Sequence, residues 1–188
     1  MHADSRRRTL LRTLLLAPVA ATLLAGCAAP RRGPDCADGY SGRVSVVQGD
    51  PPRGLYGGFR LRLGADQGRF ELLSPLGQML ARARWSAHAA SLDDGRRVRD
   101  FASFETMAQA VLGLALPRVA LQDWVRGAPA ADLPYRTLPD GGFEQLGWAV
   151  QVRREGTAVH LLRAQRIDGA PARISLVFDA PCAGVPAQ

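Results

Sequence analysis

Apolar and polar residues alternate one by one in short segments that recur from Tyr40 almost to the C-terminus. In the first such segment Val44 and Val46 fall on one face, with Ser45 between them on the other. A period of two is typical of strands with one buried face, and it predicts an antiparallel sheet. The predicted strands are residues 42–47, 58–63, 69–73, 78–85, 148–152, 160–167 and 173–178, with two short ones around the turn at 93–95.

The middle of the chain has a helical period instead. Ser103 is a suitable N-cap, and Pro117 should end the helix that begins there. The apolar residues at helical spacing are Phe104, Met107, Val111 and Leu114. A second short helix is predicted over residues 118–126, followed by Gly127. Strands, two helices and strands in this order predict an α+β, mainly β fold in which an antiparallel sheet curls around a helical element.

Residues 1–26 have the organisation of a secretory signal peptide. An arginine-rich start precedes an apolar run over residues 14–24, which is shorter than the ~20 residues that span a bilayer. The residues Leu24-Ala25-Gly26-Cys27 then resemble the lipobox at which bacterial lipoproteins are cleaved and lipidated. We therefore expect a lipid on Cys27. The alternative is a membrane-spanning or buried helix that happens to end in cysteine.

Residues 27–39 contain Pro30, Gly33 and Pro34 without apolar periodicity, which favours a lipidated tether ahead of the domain. Ala28, where an Asp would favour inner-membrane retention, favours an anchor in the outer membrane on its periplasmic face. The basic start fits both the general secretory and the twin-arginine export routes. We place the domain at residues 40–182 and a C-terminal tail at 183–188.

All 24 basic residues are arginine, and the formal net charge is +7. Four of these arginines and one of the 17 acidic residues precede Cys27. The mature chain therefore has 20 arginines and 16 acidic residues, which gives a net charge of +4. The arginines are dispersed among acids, without an aromatic and basic cluster. This dispersal favours a coding bias over a nucleic-acid or anionic-lipid patch, and no nucleic-acid partner is expected.

Two cysteines remain once lipid has taken Cys27. In an oxidising compartment Cys36 and Cys182 either form a disulfide between the two ends of the domain or stay as free thiols. The sequence contains no metal-ligand motif, so we expect neither a metal nor another cofactor. It also lacks a recognisable nucleophile and base pair, which disfavours a lipid-anchored hydrolase and predicts that the chain is not an enzyme.

A turn between two predicted strands carries an apolar residue at its tip. Pro75, Leu76 and Gly77 form this turn, where polar residues are usual. Leu76 either folds back onto the core or stays exposed and dips into a bilayer or meets an apolar ligand.

Four segments together resemble the LolB family of outer-membrane lipoprotein receptors. They are Ser41-Gly42-Arg43-Val44, the stretch Leu72-Leu73-Ser74-Pro75-Leu76-Gly77-Gln78, Leu114-Ala115-Leu116-Pro117, and Leu121-Gln122-Asp123-Trp124-Val125-Arg126-Gly127-Ala128-Pro129. Their order and spacing match the family over about residues 40–178. Each segment alone is a weak signal, but in order behind a lipobox they are fairly specific.

The resemblance implies an unclosed antiparallel half-barrel whose concave apolar face is covered by helices. It implies a monomeric receptor that accepts lipoproteins, through their acyl chains, from the periplasmic carrier LolA. The receptor then inserts them into the inner leaflet of the outer membrane, and the protruding apolar loop residue of the family falls on Leu76. The alternative is a structural or assembly lipoprotein that binds a protein partner through its sheet.

A cavity for acyl chains needs inward-facing apolar residues. The candidates are Phe59, Leu61, Phe70, Leu72, Met79, Trp85, Met107, Val111, Trp124 and Trp148. Methionine and tryptophan suit an adaptable pocket. The alternative for each of these residues is that it fills a solid core.

Overall fold

The computed structural model describes residues 39–179 of the 188-residue chain. The predicted signal peptide, the predicted lipidation site Cys27, the two cysteines Cys36 and Cys182 and the C-terminal tail lie outside the described residues. The same holds for the tether up to residue 38.

The described chain forms an eleven-stranded sheet in which each neighbouring pair is antiparallel. The strands are β1 (Tyr40–Gln48), β2 (Arg53–Leu63), β3 (Gly68–Leu73), β4 (Met79–Trp85), β5 (Ala90–Asp93), β6 (Val98–Phe101), β7 (Arg136–Thr137), β8 (Phe143–Gln145), β9 (Trp148–Glu155), β10 (Ala158–Arg166) and β11 (Ala172–Phe178). Their order in the sheet is β6-β5-β4-β3-β2-β1-β11-β10-β9-β8-β7.

The sheet is unclosed, because β6 and β7 form its two edges and are not paired with each other. The first and last strands along the chain, β1 and β11, are neighbours in the middle of the sheet, where Val44 lies opposite Leu176. Both side chains are buried, whereas Arg43 and Arg173 on the other face are exposed. The alternation seen in the sequence therefore marks the covered face of the sheet, and the predicted half-barrel is confirmed.

Two helices cover that face. Helix α1 (Phe104–Leu112) begins after Ser103, whose hydroxyl accepts a hydrogen bond from the Thr106 amide at 3.1 Å. It ends at Gly113, which has a φ of 64° that favours glycine. Helix α2 (Arg118–Val125) follows after Pro117.

The first helix is shorter than its apolar spacing predicts. The sequence predicts that Pro117 ends this helix, but Gly113 ends it four residues earlier. Leu114 is therefore part of the following loop, where its side chain is buried. Strands β7 and β8 were missed, because two and three residues are too few to show a period.

The helices pack on the sheet through aromatic contacts. Trp85 of β4 lies 4.8 Å from Phe104 of α1, measured between ring centroids. Gly68 on β3 leaves room for the indole, since a Cβ there would lie 2.2 Å from a Trp85 ring carbon. The two helices have nine and eight residues, and within residues 39–179 neither is long enough and apolar enough to cross a membrane.

Candidate functional site

An apolar cavity lies between the inner face of the sheet and the two helices. The volume in which the centre of a water-sized sphere can move is about 200 Å³. A single water needs only ~10–15 Å³ of such space, so the cavity is far larger than an ordinary packing defect. Every residue that lines it is apolar.

Seven of the ten predicted cavity residues line this space. They are Leu61, Phe70, Leu72, Trp85, Met107, Val111 and Trp124. Strands β2, β3 and β4 contribute the first four, and the helices contribute the other three. The structure thus brings together side chains that are up to 63 positions apart in the sequence.

Phe59 and Trp148 are buried but do not line the cavity. Each is only 1% exposed and belongs to the packed core. Phe59 packs edge-on against Phe178 with ring centroids 5.8 Å apart. These two residues therefore fill the solid core, which was the alternative to lining a cavity.

Met79 was predicted to face inward, and this prediction is wrong. Its side chain is 41% exposed and does not line the cavity. The cause is an irregularity in the β3–β4 pairing, where Leu72 pairs with Ala81 but Leu73 pairs with Met79. A bulge of this kind interrupts the alternation of faces along the strand.

Seventeen lining residues were not among the candidates. They are Val44, Val46, Leu55, Leu63, Ala81, Ala83, Leu92, Phe104, Ala108, Leu112, Leu116, Leu121, Val125, Leu162, Ala164, Ile174 and Leu176. Most occupy the inward positions of the same alternating strands, so the period-two pattern contained the signal. Ala81 and Ala83 matter through their small size, because they leave space beside larger neighbours.

The cavity wall includes the C-terminal turn of α1 and the loop that follows it. Val111, Leu112 and Leu116 line the cavity, and Val111 is also 39% exposed. The side chain of Val111 therefore lies between the cavity and solvent.

A buried glutamine fixes helix α2 over the cavity. Gln145 is 2% exposed, and its Oε1 accepts hydrogen bonds from Trp124 Nε1 and the Ala130 amide, both at 2.9 Å. Its Nε2 donates to the carbonyls of Ala130 at 2.9 Å and Leu133 at 3.1 Å. The amide is fully satisfied, so it orients Trp124 without leaving an unpaired polar group in the core.

Arg154 holds the end of the same helix. Its guanidinium donates to the carbonyls of Arg126 and Gly127 at 3.1 Å, and to the Thr157 carbonyl at 3.1 Å. A cation at the C-terminus of a helix also interacts favourably with the helix dipole. Helix α2 is therefore tied to the β9–β10 hairpin at its C-terminal end.

The β3–β4 turn presents Leu76 to solvent. Its side chain is 87% exposed, so it does not fold back onto the core. The Ser74 hydroxyl accepts hydrogen bonds from the amides of Leu76 at 3.3 Å and Gln78 at 3.2 Å. Gly77 has a φ of 79°, which closes the turn in a conformation that favours glycine. The tip is thus an ordered turn with an exposed apolar side chain.

Comparisons with known proteins agree with this architecture. The sequence profile of the family described as "Outer membrane lipoprotein LolB" matches residues 39–180. The chain is 35% identical over 166 residues to the outer-membrane lipoprotein LolB of Cupriavidus pinatubonensis, a match that covers 80% of this chain and 79% of that protein. The LolB of Ralstonia nicotianae is 35% identical over 154 residues, with 72% and 74% covered. That of Cupriavidus necator is 32% identical over 197 residues, with 93% and 98% covered. The chain belongs to the LolB family of outer-membrane lipoproteins.

Proposed function

We propose that this protein takes the acyl chains of lipoproteins from LolA into its apolar cavity and then inserts those lipoproteins into the outer membrane. Membership of the LolB family makes it an outer-membrane lipoprotein receptor with a transport role in lipoprotein localisation. The observation that carries the proposal is a cavity of about 200 Å³ lined only by apolar side chains.

The chemistry of the cavity suits an acyl chain. Such a chain has no hydrogen-bonding groups, so it needs apolar area and no directed polar contacts. Burial of each CH₂ contributes about 0.8 kcal/mol, and several buried methylenes give useful affinity. Met107 in the wall has a flexible side chain that can adapt to chains of different shape.

Transfer from the carrier needs only a difference in affinity. An advantage of about 1.4 kcal/mol for the receptor over LolA shifts the transfer equilibrium about tenfold. Release would follow at the bilayer, where Leu76 enters the apolar region beside the departing acyl chains. We propose Cys27 as the lipidated residue that keeps the domain at the membrane.

The proposal is tested by transfer in solution. The mature chain with Cys27→Ala is mixed with LolA that carries a radiolabelled lipoprotein, and the two proteins are separated by affinity capture. We expect the label to move to the Cys27→Ala chain. Retention of the label on LolA, with the acceptor folded by circular dichroism, would falsify the receptor mechanism.

A further inference from the structure

Three arginines form a row on the outer face of the sheet, opposite the cavity. Arg62 of β2 pairs in register with Arg69 of β3, and Arg69 pairs with Arg84 of β4. All three side chains are exposed. We call these residues the arginine row. The fold creates it from positions that look dispersed along the sequence.

The neighbouring row of charged residues on the same face is partly neutralised by an acid, but the arginine row is not. Glu71 lies 2.9 Å from Arg82 and 3.9 Å from Arg60, which balances part of their charge. Within residues 39–179 none of the three arginines in the row forms an ion pair. Continuing across the sheet, Arg84 pairs with Ser91 and Ser91 with Asp100, so the row meets an acid only at the far edge.

Like charges directly opposite one another on adjacent strands are destabilising. Neighbouring strands are about 4.8 Å apart, so three positive charges are spread over about 10 Å of a single face. An anionic surface would attract all three arginines and offset the repulsion between them. The charge pattern therefore fits a layer of phosphate groups better than a single counter-ion.

The chain enters the domain beside this row. A Cβ at Gly39 would lie 3.3 Å from Cγ of Arg62. The 12 residue steps from Cys27 to Gly39 span at most about 43 Å, at ~3.3–3.6 Å each. An anchor at Cys27 therefore keeps the arginine row within reach of the bilayer.

The same face becomes apolar towards the β3–β4 turn. Beyond the bulge in β4, Met79 lies opposite Leu73 and is 41% exposed. The neighbouring Leu80 is 47% exposed, and Leu76 protrudes from the adjoining turn. Exposed apolar side chains next to arginines are typical of surfaces that lie on anionic membranes.

We propose that the arginine row binds the anionic headgroups of the phospholipid bilayer to which the protein is anchored, and that it thereby lays the outer face of β2–β4 against the membrane. This inference rests on the proposed anchor at Cys27. In this arrangement the row and Leu76 contact one membrane surface, while the cavity stays on the opposite face of the sheet.

Chemical labelling of the native lipoprotein tests the proposal. The mature, lipidated protein is reconstituted into vesicles of phosphatidylcholine alone or of phosphatidylcholine with phosphatidylglycerol. Phenylglyoxal then modifies accessible guanidinium groups, and mass spectrometry of peptides gives the rate at each arginine. Arg153, Arg163 and Arg173 are matched internal controls, because they are exposed on the outer face of the other half of the sheet.

We expect labelling of the arginine row to be about five-fold slower in the anionic vesicles. This factor corresponds to an attraction of about 1 kcal/mol between each arginine and the anionic membrane surface. The three control arginines should react at equal rates in both vesicles. At about 1 M salt, where screening acts within ~3 Å, the protection should be lost.

Equal labelling of the row in both vesicles would overturn the proposal. Protection that arises only when LolA is added would also overturn it, because the row would then serve a protein partner. Either result leaves the transfer of lipoproteins from LolA to be judged separately, since that assay needs no vesicles.

Discussion

At the scale of single residues, the most consequential side chain is the amide of Gln145, which is buried among apolar residues. Gln145 is the sole buried polar residue among residues 39–179, and it makes four hydrogen bonds that join β8 to Trp124 and to the loop at Ala130. Trp124 lines the cavity. The amide therefore links the stability of the fold to the shape of the binding site.

Gln145→Leu should destabilise the protein by about 3 kcal/mol, because it leaves several buried polar groups without partners, at ~1–3 kcal/mol each. The urea midpoint of unfolding measures this loss. Gln165→Leu is the control, since Gln165 is exposed and its replacement should change stability by less than about 0.5 kcal/mol. Equal midpoints for Gln145→Leu and the parent would show that the hydrogen bonds do not hold α2 in place.

At the scale of elements, the β3–β4 turn combines an ordered backbone with an exposed leucine. The Ser74 hydroxyl and Gly77 define the backbone of the turn, so the position of Leu76 does not depend on its own packing. This separation means that a change at Leu76 should affect its contacts with a membrane without disturbing the fold.

Leu76→Glu should retain the uptake of lipoproteins from LolA but reduce their insertion into liposomes by about tenfold or more. The lost burial of a leucine alone is worth ~1.5–3 kcal/mol, and a carboxylate adds a cost in the bilayer. Val119→Glu is a matched control, because Val119 is 59% exposed on α2, away from this turn. Insertion by Leu76→Glu at the parental rate would remove Leu76 from the mechanism.

The elements also show how far the sequence predicts the structure. The long strands were predictable because each has one covered face, and the Pro75-Leu76-Gly77 turn was predictable from its residue types. The inward position of Met79 was not, because the bulge near Leu72 depends on how β3 pairs with β4. The cavity as an empty space was not predictable either, since alternation marks a covered face without showing whether that face is filled.

At the scale of the whole molecule, the sheet and helices enclose space that is left unfilled. Closely packed interiors have few voids larger than a water molecule. The family resemblance implied such a cavity, and the structure shows which side chains leave it open. Ala81 and Ala83 are prominent among them, because they lie on the sheet opposite the helices.

Ala83→Phe should fill part of the cavity and reduce acyl-chain uptake by about tenfold. Displacing even two methylenes of a guest costs ~1.6 kcal/mol, which corresponds to this factor. Transfer of a labelled lipoprotein from LolA measures the effect. Ala149→Phe is the control, because Ala149 alternates with the inward-facing Trp148 and Val150 and lies on the outer face. Equal losses in both variants would point to a general defect and not to an occupied cavity.

The most direct measurement is to find where the acyl chain of a transferred lipoprotein lies. A lipoprotein with a photoreactive group on its acyl chain is passed from LolA to the Cys27→Ala chain and irradiated, and the adducts are mapped by mass spectrometry. We predict adducts on residues that line the cavity, such as Met107, Leu162 and Ile174. Adducts confined to exposed residues outside the cavity, such as Leu80, or no adducts after a completed transfer, would contradict the account.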